Sequence, residues 1–266
     1  METREDGSLG NRSIRLGKRL FRRVFPRVVD PLLDSPPVLL PEDAATESRY
    51  QSLIDRNDPF REARFREGTI WRGVLSRFVP PPARVLDLGA GDGAIELALN
   101  NGGYRTTSVD REWNTVAPRL GVRRVIADAT ALPFREATFD AVICLETIEH
   151  FTNARASCAE GSRVLRDGGR VVLITPSRLA WIFRRDPHFG IRFLLMLPSA
   201  MQRRIAARRG FDQPHHFVDR IYTSAASIAK LFPRCRIEHT MTRSRLPKRW
   251  FWDALVLKKN VLSAEC

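Results

Sequence analysis

A chain of 266 residues with 43% hydrophobic residues is long enough for one sizeable core with decorations, or at most two small domains. Its formal charge of +14 would ordinarily direct attention to nucleic acid or an anionic membrane. Most of that charge is arginine, however, a bias that genome base composition produces without selection for binding, so direct nucleic-acid recognition is the weaker reading. The four cysteines, Cys144, Cys158, Cys235 and Cys266, stand far apart with no metal-ligand spacing, which predicts free thiols, a reducing compartment and no metal centre. No apolar run approaches the ~20 residues a membrane-crossing helix needs. The opening residues include Glu2, Glu5 and Asp6 and lack the apolar stretch of a signal peptide, so the expected location is the cytoplasm.

In chain order, residues 1–10 are polar and offer no apolar period to bury. Leu16, Leu20, Val24 and Val28 then recur every fourth residue among arginines, which predicts a basic amphipathic helix over 14–29. Two readings stay open for it: a helix packed on the core with a solvated basic face, which is favoured, or an in-plane anchor giving peripheral contact with acidic lipid. Pro31, Pro36, Pro37 and Pro41 mark a linker, so residues 1–60 are expected to be an N-terminal helical extension and linker. A helix is predicted over 62–78, ended by Pro80, Pro81 and Pro82.

From there short apolar runs alternate with amphipathic ones. Strands are predicted at 84–88, 106–109, 124–127, 141–145 and 170–175, with helices between several of them; this alternation argues for an α/β fold whose parallel sheet is covered on both faces. Residues 177–219 break the rhythm and read as a helical lid inserted above the sheet. A helix at 223–232 and two closing strands at 236–240 and 250–258 complete a domain expected over 61–260.

The strongest local signal is Asp87-Leu88-Gly89-Ala90-Gly91-Asp92-Gly93, an apolar strand running into a glycine turn and then a helix. Glycine is needed where the backbone turns with positive φ or where a ligand meets the main chain more closely than a Cβ allows. Gly89, Gly91 and Ala94 also satisfy a loose dinucleotide fingerprint, with Asp110 at about the distance of a ribose acid, so on these residues alone a nicotinamide-dependent oxidoreductase stays open. Asp87 within the strand, Gly93 as a third glycine and Asp128-Ala129-Thr130-Ala131-Leu132-Pro133-Phe134 after the third strand fit that alternative poorly.

Taken in order, these motifs resemble the class I S-adenosylmethionine-dependent methyltransferases, in particular the group acting on small molecules, lipids and sugars. Asp87 to Gly93 match that family's D-x-G-x-G-x-G, Asp110 its acid after the second strand, Asp128-Ala129 and Leu132-Pro133-Phe134 its D-A-x-x-L-P-F, and Phe139-Asp140-Ala141-Val142 its F-D-x-V. The resemblance implies a doubly wound, Rossmann-like sheet of seven mostly parallel strands with the last antiparallel. It also implies an S-adenosyl-L-methionine site formed by Asp87, Gly89, Ala90, Gly91, Gly93, Asp110, Arg111, Asp128, Ala129 and Leu145. In that site Asp87 would meet the cofactor ammonium, Asp110 both ribose hydroxyls, and Asp128 with the Ala129 amide the adenine. For each acid the competing role is a capping or turn carboxylate.

Methyl transfer needs alignment more than a dedicated base. The family places candidate groups after the fourth strand, here Cys144-Leu145-Glu146-Thr147-Ile148-Glu149-His150-Phe151. His150 is the best candidate base, because an imidazole accepts a proton near neutral pH; the alternative is that it only shapes the pocket. Glu149 is a candidate acceptor contact or a solvated acid, and His188, His215 and His216 are candidate acceptor contacts at the rim. Asp186-Pro187-His188-Phe189-Gly190 resembles a segment of bacterial methyltransferases associated with cell-surface glycans. The arginines around it, Arg184, Arg185, Arg192, Arg203, Arg204, Arg208 and Arg209, suit an anionic or lipid-phosphate acceptor. The expected acceptor is therefore a small molecule, glycan or lipid-linked group. An RNA methyltransferase, an NAD-dependent oxidoreductase and a non-catalytic scaffold are the alternatives.

Overall fold

The computed structural model describes residues 59–91, 93–111, 122–175, 191, 193, 194, 197–209, 222, 224–241 and 254–261. The amphipathic helix expected over 14–29, the linker, and most of the insertion, with His188, His215 and His216, lie outside the described residues.

Helix α1 (Pro59–Phe78) precedes strand β1 (Arg84–Leu88), helix α2 (Ala94–Asn101), β2 (Arg105–Asp110) and β3 (Arg123–Ile126). There follow β4 (Phe139–Leu145), a 3-10 turn (Ile148–His150), α3 (Ala154–Val164), β5 (Leu165–Ile174), α4 (Ser199–Ala207), α5 (Ala225–Ala229), β6 (Cys235–Met241) and β7 (Ala254–Lys259). The strands form one seven-stranded sheet in the order β3-β2-β1-β4-β5-β7-β6. β1 to β5 pair in parallel, and β7 runs antiparallel to both β5 and β6. The expected Rossmann-like α/β architecture, with an antiparallel last strand, is therefore present.

The strand residues divide by parity except across the register shifts in β4 and β6, where Phe139 and Met241 fall on the faces opposite to those their numbers would give. Leu86 and Leu88 of β1, Val142 and Cys144 of β4, Val171 and Leu173 of β5, and Leu255 and Leu257 of β7 join one core with Cys158 of α3, Ile228 of α5 and Phe232. Val85, Ala141, Ile143, Leu145, Val172, Ala254 and Val256 join the other, with Trp71, Val74 and Leu75 of α1 and Ile95 and Leu99 of α2. Period-2 alternation thus sends successive side chains into two helix-covered layers, as a doubly wound sheet requires. Parity also assigns Asp87 to the α1/α2 face, two residues beyond Val85.

α1 and α2 meet at Gly68. A Cβ there would stand 2.8 Å from the Ile95 Cα and 2.9 Å from the Ala98 Cβ, so the helices approach closely only because this side chain is absent. One turn earlier Phe65 packs with Ala94, Leu97 and Ala98. At the other end of the sheet the buried Lys259 ammonium donates to the carbonyls of Ser162 (2.8 Å) and Leu165 (2.6 Å), tying β7 to the C-terminus of α3, where a cation is favoured.

Several boundaries shift by one or more residues from expectation, and two of the shifts have a visible cause. β5 begins at Leu165, five residues before the predicted 170, because Leu165 already pairs with Phe139; the ladder then shifts register across Gly168, at φ +74°, and resumes with Arg170 opposite Ala141. A Cβ on Gly169 would lie 2.8 Å from the Asp140 carbonyl, so the glycine serves a close strand approach. The helix predicted over 223–232 is confined to Ala225–Ala229; Ser224 caps it by accepting from the Ser227 amide, and turns carry the chain on to Phe232.

The contrast between two α1 glycines makes a prediction. Gly68→Ala should destabilise the fold by roughly 1–3 kcal/mol through overpacking. Gly73→Ala, where a Cβ meets nothing within 4 Å, should stabilise it by about 0.5–1 kcal/mol. Denaturant midpoints of the two variants check the opposite signs.

Candidate active site

The sheet order places a topological switch at β1. The chain steps outward to β2 and β3, then returns to β4 on the other side of β1, and ligands of such sheets bind where the carboxyl ends diverge. A cleft at this edge is lined by Gly89, Val109, Asp110, Arg111, Ala127, Asp128, Ala129, Thr147, His150, Phe151, Thr152 and Ser157. Gly89, Asp110, Arg111, Asp128, Ala129 and His150, scattered over 62 positions of sequence, therefore share one wall.

The turn after β1 shapes this cleft. Gly89 has φ +79°, and its amide donates to the Val109 carbonyl at 2.8 Å, extending the β1–β2 ladder. A Cβ on Gly89 would fall 2.2 Å from the Thr147 methyl, so the position is closed to any side chain by conformation and contact together. Gly93, at φ +88°, stands as the N-cap of α2 with no side-chain cap. Between them the Gly91 amide donates to Asp110 Oδ2 at 3.1 Å. The Arg124 guanidinium, its side chain 3% exposed, donates to the Gly91 carbonyl through Nη1 and lies 3.4 Å from Asp110 Oδ2 through Nη2. One arginine from β3 thus fastens the glycine loop to the acid that ends β2.

Asp128 is exposed, and its Oδ1 accepts from the Thr130 amide (2.8 Å) and hydroxyl (2.7 Å), which hold the carboxyl below its ordinary range. The turn-carboxylate role therefore applies to Asp128, and it applies at the lip of the cleft. After β4, Glu146 takes φ +55° and the chain enters the 3-10 turn. This turn sends Ile148 and Glu149 inward and leaves His150 on the cleft. Glu149 is 0% exposed and does not line the cleft, which corrects its reading as a solvated acid. Leu145 and Ala90 are likewise buried and do not line the cleft.

Thr147, Phe151, Thr152 and Ser157 were not singled out from sequence. A signal for Ser157 exists in Asn153, whose side chain accepts from the Ala156 amide at 3.2 Å and starts α3, so that Ser157 falls on its first turn.

Asp87 lies beneath the loop, 2% exposed. Burial pushes its carboxyl from 3.8 up to about 7, against the pull of the Arg64 cation and with a further push from Asp110. Between pH ~4 and ~7 the folded protein holds a proton that the unfolded chain has released, so this group's contribution is full below the lower value and is lost as pH rises through the upper one. Asp87→Asn, which does not titrate, should gain on the wild type by up to about 4 kcal/mol between pH 4 and pH 8 without ligand, or of the order of 10 °C in thermal midpoint. A difference constant across that range would contradict the buried carboxyl.

A family description for a methyltransferase domain matches residues 86–173. The demethylmenaquinone methyltransferase of Clavibacter sepedonicus is 36% identical over 115 residues, 39% of this chain and 46% of that protein. The same enzyme of Beutenbergia cavernae is 38% identical over 107 residues, 38% of this chain and 44% of that protein. The chain thus matches less than half the length of either relative. Among solved structures, the PH0226 protein of Pyrococcus horikoshii aligns with a TM-score of 0.54 at 17% identity, over 79% of this chain and 96% of that one. The 1,6-didemethyltoxoflavin-N1-methyltransferase of Burkholderia thailandensis, solved with S-adenosylhomocysteine, aligns with a TM-score of 0.50 at 21% identity over 89% and 95%. These two share the fold. Residues 86–173 thus match a methyltransferase domain, and the motifs ordered along this sheet edge are those of the class I S-adenosylmethionine-dependent enzymes.

Proposed function

We propose that this protein transfers a methyl group from S-adenosylmethionine to a small-molecule acceptor with a ring hydroxyl, of the kind a demethylated quinone presents when reduced. The convergence of Gly89, Asp110, Asp128, Ala129 and His150 on one cleft at the switch point carries the reading. The open face of Gly91, where a Cβ would meet nothing within 4 Å, and the buried acid of Asp87 beside it fit an extended ligand with a cationic amino-acid end. The similarity to demethylmenaquinone methyltransferases supports the acceptor class.

When bound, S-adenosylmethionine supplies a methyl group on a cationic sulfur, whose in-line displacement leaves a neutral thioether. Around it Asp87 accepts from the amino-acid ammonium, and Asp110, held by Arg124 and the Gly91 amide, accepts from the ribose hydroxyls. Asp128 and the Ala129 amide meet the adenine beside Arg111. His150 would accept the acceptor's hydroxyl proton as the methyl bonds to oxygen or to the neighbouring ring carbon; on carbon, loss of the ring C–H proton with return of a proton to the oxygen then restores the aromatic ring, while Thr147, Phe151 and Thr152 line the cleft around it.

The test is methyl transfer from labelled S-adenosylmethionine to three acceptors in parallel: a reduced demethylated naphthoquinone, a lipid-phosphate-linked sugar and transfer RNA. The expected result is transfer to the quinol, with His150→Gln lowering kcat roughly 10²- to 10⁴-fold at unchanged KM for the methyl donor. Transfer to RNA with none to the quinol would overturn the acceptor class, and an unchanged kcat would reduce His150 to a shaping role.

A further inference from the structure

Around the sheet, arginines are held by acids. Arg163, Arg166, Arg170 and Arg234 meet Glu160, Asp140, Glu238 and Asp167 respectively. The insertion between β5 and α5 departs from this. Its stretch 187–211 holds five arginines and no acid. Of these, Arg204, Arg208 and Arg209 are exposed and hold no ion pair among the described residues.

The same segment exposes apolar side chains. Ala206 of α4 packs on Leu194, and the partly buried Ile191, Leu197 and Ile205 complete this small cluster. Gln202 Nε2 donates to the Leu197 carbonyl at 2.7 Å, which holds the preceding turn against the helix. Phe193 and Met201 stand outside the cluster, 55% and 49% exposed. At 3.6 residues per turn, Met201, Arg204 and Arg208 share the side of α4 opposite Gln202 and Ala206.

Both ends of the insertion are rooted at the edge of the sheet that carries the cleft. It leaves at the carboxyl end of β5, where the Glu146 amide donates to the Ile174 carbonyl at 3.0 Å. It returns at Tyr222, whose hydroxyl lies 3.5 Å from the Ile148 carbonyl in the His150 turn.

We infer that α4 and the Phe193 turn form a docking surface for a bilayer of acidic lipid. Arg204, Arg208 and Arg209 would meet the headgroup phosphates, and Phe193 and Met201 would enter the boundary with the acyl chains. Unpaired cations beside exposed apolar side chains match such an interface, because the headgroups take the charge and the boundary takes the apolar groups. A nucleic-acid backbone would match the arginines and leave Met201 in water. Docking here is separate from the helix expected over 14–29 and does not depend on the identity of the acceptor. Its consequence is that the insertion would tie the cleft edge of the sheet to a membrane.

The experiment is co-sedimentation of the full chain with vesicles of phosphatidylcholine alone and of equal parts phosphatidylcholine and phosphatidylglycerol. The wild type should bind the acidic vesicles at least about 10-fold more tightly, and rising salt should weaken that binding. Arg204→Gln with Arg208→Gln should weaken it by roughly 25-fold, at about 5-fold for each arginine. Phe193→Asn with Met201→Ser, which keeps every charge, should weaken it by about 10-fold. All four positions are exposed, so thermal midpoints should stay at the wild-type value. No binding of the wild type to acidic vesicles would overturn the assignment. So would binding that neither double variant weakens, which would place the contact elsewhere on the chain. A loss confined to the arginine variant would also overturn it, since any polyanion, RNA included, satisfies charge alone. A wild-type dimer that Phe193→Asn with Met201→Ser dissolves, at unchanged vesicle binding, would assign the surface to a second copy instead.

Discussion

The site depends on the contact between Gly89 and Thr147. β1 ends in a turn that only a glycine can make, and the space a side chain would fill holds the Thr147 methyl from the segment after β4. This contact joins the two strands on either side of the switch point, so the glycine loop and the His150 turn are positioned by one another. Arg124 then adds the third strand, since it reaches both the Gly91 carbonyl and Asp110. The lip of the cleft is thus tied across β1, β2, β3 and β4 by backbone and short side chains, which suits the preorganisation that a positioning reaction requires.

Beneath this rim the molecule places charge where burial is expensive. Asp87 is enclosed by the α1/α2 layer, and its carboxyl retains a proton to about pH 7; a cationic partner beside it would favour the ionised form. Arg64 moderates that burial from one side and Asp110 adds to it from another. A structural core would place an apolar residue here, as the same parity does at Val85, Ile143 and Val172. The departure from that pattern falls at the site, where a local rule is most often broken for function.

Much of the fold was legible because each strand is a short apolar run, interrupted by Asp87 within β1, ended by Asp110 in β2 and followed by Asp128 after β3. Asp87, Asp110 and Asp128 were grouped through the motifs they belong to, and of the three Asp110 and Asp128 line the one cleft. The start of β5 was not legible: Gly168-Gly169 has the composition of a turn, and only the neighbouring Asp140 carbonyl explains why Gly169 lies within a strand. Glu149 was misplaced because three consecutive residues of a 3-10 turn face different directions, which composition does not resolve. Arg124 was invisible for another reason: its contacts arise from the pairing of β2 with β3, which brings distant residues together without a local signature.

The central claim is that the edge of β1, β2 and β3 binds the adenosyl amino acid and not a dinucleotide, since Asp87 and Asp128 are poor neighbours for a pyrophosphate. Parallel calorimetric titration of the purified wild-type protein with S-adenosylhomocysteine and with NAD tests it without knowledge of the acceptor. Binding of S-adenosylhomocysteine in the micromolar range, about 8 kcal/mol, with no heat from NAD is the predicted result. Binding of NAD alone would contradict the account.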